Sequence, residues 1–183
     1  MNTISLFTDH DIYLFKEGNH FQLYNKLGSH RIATGEITGV YFAVWAPNAE
    51  GVSVVGDFNQ WNKASHPLTP RKDGSGIWEG FIEGIENGTV YKYHIISRYQ
   101  NYRADKGDPF ALRWETPPKT ASLVWDLNYA WNDHAWMNTR HKANSLDAPF
   151  AIYEIHLGSW KRVPEEGNRH LTYKEMAHHL ADY

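Results

Sequence analysis

The 183-residue chain contains no cysteine. No disulfide framework and no thiolate zinc site can therefore be built, and the absence fits a reducing compartment. Long hydrophobic runs are also missing. The longest apolar stretch, Val40–Ala46, is far too short to span a bilayer. The N-terminal stretch MNTISLFTDHDIYLF lacks a charged segment followed by an apolar one, so no signal peptide is read and a cytoplasmic location is expected. Charge of one sign is not concentrated anywhere. The formal net charge is −3 and no run of Lys or Arg exceeds two residues, which argues against nucleic acid and membrane as partners.

Several catalytic signatures are missing too. There is no Gly-x-Ser-x-Gly elbow, no phosphate-binding loop and no His-Glu-x-x-His. Gly74-Ser75-Gly76 with Gly80 misses the dinucleotide spacing by one residue. The adjacent His178-His179 pair on a predicted helix points to two different faces, so the histidines predict no metal site. Asp105 and Asp108 lie in a Gly/Pro-bearing loop and read as turn-capping residues rather than an acid/base pair. Glu154 falls mid-strand and reads as structural. No carboxylate pair of the glycosidase type emerges, and no cofactor is called for.

Aromatic residues are abundant, at 15%. In the N-terminal stretch 1–30, Phe21, Leu23, Tyr24 and Leu27 recur at near-helical spacing before Gly28, which predicts a helical lead-in. Short strand-like segments follow. Val40–Trp45 is apolar on both faces, and Gly51–Val55 places Val52 and Val54 on one face. Ile77–Ile82 and Thr89–Ser97 read as a strand pair across Glu83–Gly88, and Thr120–Trp125 is a further short strand. Tyr91, Tyr93 and Ile95 share one face of their strand, opposite Val90, Lys92 and His94. Short strands separated by Gly/Asn turns predict a mostly β fold, an immunoglobulin-like β-sandwich over 31–126. Residues 127–148 are polar without a clear period and read as a linker. Over 149–183 the pattern is strand (Ala151–Leu157), loop, then an amphipathic helix (Thr172–Tyr183) opened by a Thr172/Glu175 capping box. That is the first strand and first helix of a βα fold. A complete (β/α)8 barrel needs about 250 residues, so an incomplete barrel at the front of a longer protein is expected.

The positive chemical signal is Gly56-Asp57-Phe58-Asn59-Gln60-Trp61, which sets a tryptophan on a polar turn just past a strand end. A flat ring on a rigid sheet suits the apolar face of a sugar, with Lys92 as a donor to hydroxyls and Tyr99 or Tyr102 as a second platform. The other reading makes Trp61 a plug for one end of the sandwich and Lys92 a solvated strand lysine.

Trp45-Ala46-Pro47-Asn48-Ala49, Gly56–Trp61 and Tyr91-Lys92-Tyr93 resemble carbohydrate-binding module family 48. Asp11–Gly18, Lys26–His30, Ala104–Ala111 and Thr120–Trp125 resemble bacterial 1,4-α-glucan (glycogen) branching enzymes, and Ile152–Trp160 looks like the first strand of their catalytic barrel. The resemblance covers nearly the whole chain. It implies a protein that cleaves an α-1,4 bond through a covalent glycosyl-enzyme and passes the chain to a 6-hydroxyl. The catalytic carboxylates would lie on later barrel strands, with none in residues 1–183. It also implies α-glucan and the barrel as partners. Trp61 and Lys92 fall at glucan-contact positions, and Tyr99 or Tyr102 at the second platform, where SRYQNYRA departs from the family's shorter loop. Three alternatives stand beside this reading. One is a docking module that orients the barrel without binding sugar. Another is the front of a debranching enzyme or maltooligosyl-trehalose hydrolase, and the third is a stand-alone sugar-binding regulator.

Overall fold

The computed structural model describes residues 4–34 and 37–183. Residues 1–3, the head of the lead-in, and 35–36, within the expected sandwich, lie outside the described residues. The chain divides into two compact units, 1–129 and 130–183.

The first unit opens with helix α1 (Asp9–Lys16). Thr8 caps it: its hydroxyl accepts from the Asp11 amide, while the Asp11 carboxylate accepts from the Thr8 amide at 2.8 Å. The helix expected at 21–27 is absent. Those residues form a turn and one 3-10 turn, Leu23–Asn25. Phe21 and Tyr24 are exposed, and only Leu27, with Leu23 half-buried beside it, packs on the protein, so no continuous apolar stripe forms. Gly28, expected as a helix cap, instead opens the first strand with φ +99°.

Among the described residues nine strands follow: β1 (Gly28–Thr34), β2 (Ile37–Trp45), β3 (Ala49–Gly56), β4 (Thr69–Pro70), β5 (Ile77–Glu83), β6 (Val90–Ser97), β7 (Arg103–Lys106), β8 (Arg113–Trp114) and β9 (Ser122–Leu123). One antiparallel sheet has the order β1-β2-β5-β4. The other has the order β3-β6-β9-β8, with β7 also paired to β6. Val40, Phe42 and Val44 of β2 and Trp78 and Ile82 of β5 meet Val52 and Val54 of β3 and Tyr91 and Tyr93 of β6 in a common core. Two sheets packed over an apolar layer make a sandwich.

β2 reads apolar on both faces because it lies between two cores. Its Tyr41 and Ala43 turn outward and pack with Ile77 against Phe7, Ile12 and Leu27 of the lead-in. Ser5 of the lead-in joins a buried polar cluster there: its hydroxyl donates to Glu79 Oε2 at 2.8 Å, the Tyr41 hydroxyl donates to the same oxygen, and Arg71 reaches Glu79 Oε1 at 2.8 Å. The lead-in thus covers the outer face of the β1-β2-β5-β4 sheet and leaves the outer face of the other sheet to its own loops.

The expected pairing of β5 with β6 does not occur. β5 pairs with β2 and β4, and β6 with β3, β7 and β9. The connection over 84–89 crosses from one sheet to the other, and Ile85 is buried in the core at the crossing. Burial periodicity sets which face of a strand turns inward, and both arrangements satisfy it equally.

Asp108 does cap a turn, accepting from the Phe110 amide at 2.8 Å, but it is also fully buried. It accepts from the hydroxyls of Tyr91 at 2.6 Å and Tyr93 at 3.1 Å, and its amide donates to Ser122 Oγ. Burial pushes its carboxyl above the usual range against those hydrogen bonds. Asp105 is not a turn cap. It sits in β7 and pairs with His94.

The second unit holds α2 (His134–Ala143), α3 (Leu157–Trp160), β10 (Arg162–Val163) paired with β11 (Arg169–His170), and α4 (Tyr173–Asp182). α2 occupies the stretch read as a linker. None of its residues is buried, so it carries no apolar stripe from which a helical period could be read. Residues 151–156, read as a strand, carry no ladder, and α3 begins at Leu157. A strand exists through its neighbours' hydrogen bonds, and no neighbour lies alongside among the described residues. α4 forms as expected. The Glu175 carboxylate accepts from the Thr172 amide at 2.8 Å, the Thr172 hydroxyl accepts from the Glu175 amide at 3.3 Å, and Met176 is buried. No helix among the described residues is long and apolar enough to cross a membrane.

Candidate carbohydrate-binding face

β3 runs to Gly56, whose register partner is Tyr91 at the start of β6. A side chain at Gly56 would meet the Val90 carbonyl at 2.1 Å, so only glycine lets the strand end lie this close. The chain then turns through a 3-10 segment, Asp57–Asn59, and two successive left-handed residues, Gln60 (φ 53°) and Trp61 (φ 59°). Side-chain-bearing residues pay for this conformation, of order 1 kcal/mol or more each, so the surroundings must hold them there. Asn59 does much of this. Its Oδ1 accepts from the Gly56 amide and its Nδ2 donates to the Val54 carbonyl, both at 3.0 Å. The Trp61 amide donates to the Gly56 carbonyl at 2.9 Å, and its indole Nε1 donates to Asp57 Oδ1 at 2.8 Å. Trp61 is 37% exposed.

Lys92 sits on the outer face of β6 opposite Val55, one row from the Gly56–Tyr91 pair. Its ammonium donates to Thr120 Oγ1 at 2.8 Å, so it is a positioned donor rather than a free surface lysine. Beyond Thr120 lies a cleft of about 450 Å³, whose walls include Val90, Arg113, Trp114, Thr116, Pro118 and Leu123. The Arg113 guanidinium stacks on Trp125, 3.9 Å from the ring centroid.

Tyr99 and Tyr102 lie at the opposite end of β6. They flank a tight turn with Gln100 (φ 54°) and Asn101 (φ 52°) at its centre, and the Tyr102 amide donates to the Tyr99 carbonyl. Both rings are more than half exposed, and Lys106 lies over Tyr102 at 5.8 Å. From Lys92 to Ser97 the strand advances about 17 Å at 3.3 Å per residue. The structure therefore brings Trp61 and Lys92 to one end and leaves the two tyrosines at the other. Between them stands His94, buried on the same face as Lys92, with Nδ1 2.6 Å from Asp105 Oδ1. Lys63, from the Trp61 loop, reaches Asp105 Oδ2 at 3.3 Å and ties that loop to β7. Burial raises the Asp105 pKa, but the hydrogen bonds from His94 and Lys63 outweigh it and hold the carboxyl below its ordinary value. Sequence reasoning missed Asp57, Asn59, Lys63 and Thr120. Asp57 and Asn59 stood inside the quoted motif, whereas the Lys92–Thr120 contact spans 28 residues and had no local signal.

Residues 26–111 match Carbohydrate-binding module 48 (Isoamylase N-terminal domain). The matched stretch includes Trp61, Lys92, Tyr99 and Tyr102, while β9 and Thr120 lie just beyond it. Over its full length the chain is 55% identical to the 1,4-alpha-glucan branching enzyme GlgB of Aquifex aeolicus, covering 29% of that protein. It is 56% identical to the enzyme of the same name from Albidiferax ferrireducens, over 96% of the chain and 27% of that protein. The chain thus spans less than a third of the curated relatives it matches. Among solved structures, ligand-free PulA from Klebsiella pneumoniae aligns with 57% of the chain and 10% of its own length, at 26% identity and TM-score 0.47.

Proposed function

We propose that the first unit is an α-glucan-binding module and that the chain is the N-terminal segment of a cytoplasmic 1,4-α-glucan branching enzyme. The observation that carries the reading is the Trp61 indole, anchored at its edge by Asp57 and still exposed, on a turn rooted one strand row from the fixed donor Lys92. The apolar face of a pyranose stacks on the indole. Because Nε1 is engaged with Asp57, the ring serves as a surface and not as a donor. Lys92 and Thr120 supply hydrogen bonds to hydroxyls, and the cleft beyond Thr120 accepts neighbouring sugars. Tyr99 and Tyr102 form a second contact for a chain long enough to run the length of β6. The module then holds substrate, while cleavage of the α-1,4 bond and transfer to a 6-hydroxyl occur on a catalytic barrel of which 149–183 supply the first βα unit. Residues 1–183 carry no catalytic carboxylate in this reading.

Affinity electrophoresis in glycogen-containing gels tests it. The protein should be retarded, and Trp61→Ala and Lys92→Ala should each weaken binding about ten-fold, or roughly 1.4 kcal/mol. Wild type and Trp61→Ala migrating alike, with the fold intact, would instead assign the module to docking against the barrel.

A further inference from the structure

The first unit has another cleft, about 540 Å³, apart from the one beside Thr120. It opens between the end of β1, the start of β2, the crossing loop 84–88 and residues 126–128. Its polar walls are Arg31, Thr38, Glu86, Asn87, Asp126 and Asn128. Ile32 and Ile85 give it an aliphatic lining, and Gly39 and Gly84 complete its walls. Gly39 is required there: an added Cβ would meet the Ile82 carbonyl at 2.4 Å.

The chemistry of these walls narrows the ligand class. Arg31 is paired with Asp126, so its charge is cancelled. Glu86 then leaves the cleft with a negative balance, which disfavours phosphates and other anions. Among the described residues no aromatic lines it, so nucleobases find no stacking surface there. Amide, hydroxyl and carboxylate groups around an aliphatic lining suit a neutral, hydroxyl-rich ligand that also presents C–H surface. The volume lies within the range of about 300–1,000 Å³ typical of small-molecule sites.

Its position is equally specific. Asn87 holds the Asp126 amide at 3.0 Å and precedes Val90 by three residues, and Val90 abuts Gly56, the root of the Trp61 turn. The cleft therefore lies at the same end of the sandwich as that root. We infer that this cleft is a second α-glucan subsite, which takes the continuation of a chain stacked on Trp61 as it passes over the end of the sandwich. The inference rests on the proposed glucan binding at Trp61 and adds to it a dependence on chain length.

Titration calorimetry of the protein with maltotriose and with maltoheptaose tests this. Maltoheptaose should bind at least five-fold more tightly. The Glu86→Ala/Asn128→Ala double substitution, which removes two exposed side chains, should erase most of that advantage and leave maltotriose affinity unchanged. Amide chemical shifts at Arg31, Asn87 and Asn128 should move with maltoheptaose and not with maltotriose. An unchanged advantage in the double variant, or shifts confined to the Trp61–Lys92 region, overturns the subsite alone. Binding of neither sugar, or maltotriose affinity indifferent to Trp61→Ala, overturns the reading on which it rests.

Discussion

Trp61 is oriented by its neighbours and not by burial. Two left-handed residues, the Asn59 hydrogen bonds and the Asp57 carboxylate fix a residue with more than a third of its surface still open to solvent. A surface aromatic pre-set in one orientation loses little freedom on binding, which is how preorganisation adds affinity. Asp57→Ala removes only the indole anchor. It should leave thermal unfolding nearly unchanged and weaken glycogen binding about five-fold, the equivalent of one net hydrogen bond of about 1 kcal/mol. Gel retardation beside a melting curve separates the two effects. Unaltered retardation would show that the backbone turn alone orients the ring. The Gly56–Trp61 motif made the exposed aromatic legible. The Lys92–Thr120 contact was not, because it joins elements that meet only when β9 pairs with β6.

At the scale of elements, α1 depends on one carboxylate. Burial raises the Asp11 pKa, but the Thr8 amide and hydroxyl, Lys26 and His20 outweigh it and hold the carboxyl well below the usual carboxylate range. A depressed folded pKa contributes stability that is present above the unfolded value near 3.9 and is lost as pH falls below it. Urea midpoints measured between pH 5 and 2 should therefore drop more steeply for wild type than for Asp11→Asn, which lacks the titrating group. Parallel curves would remove Asp11 from the acid response. Local chemistry of this kind was legible wherever partners sit three residues apart, as in the Thr172/Glu175 box of α4. α2 was not legible, since a helix that buries nothing leaves no periodic trace. The absent β5–β6 pairing shows the converse: both strands were found, but their neighbours were not.

Across the whole molecule, the first unit encloses two cores, while the second buries a single large side chain, Met176. Phe150 and Ile152 are more than four-fifths exposed in a stretch without a ladder. Hydrogen exchange should find amides 150–156 close to unprotected and those of β2 and β6 protected to the limit of global unfolding. Equal protection would mean that 150–156 has found a partner strand. The sequence by itself determined β2, β3, β5, β6 and β9, the shared faces of β3 and β6, the turn that lifts Trp61 and the cap of α4. Each of these is set by steric and hydrogen-bond preferences within a few residues, or by an alternation of two. Only the tertiary structure decided which strands share a sheet and that the lead-in covers one outer face. It also decided that Asp108 lies beneath two tyrosines, and that the paired tyrosines stand a strand's length from Trp61. Those are contacts between residues far apart in the chain, selected by how two apolar layers close over one another, and no local pattern encodes them.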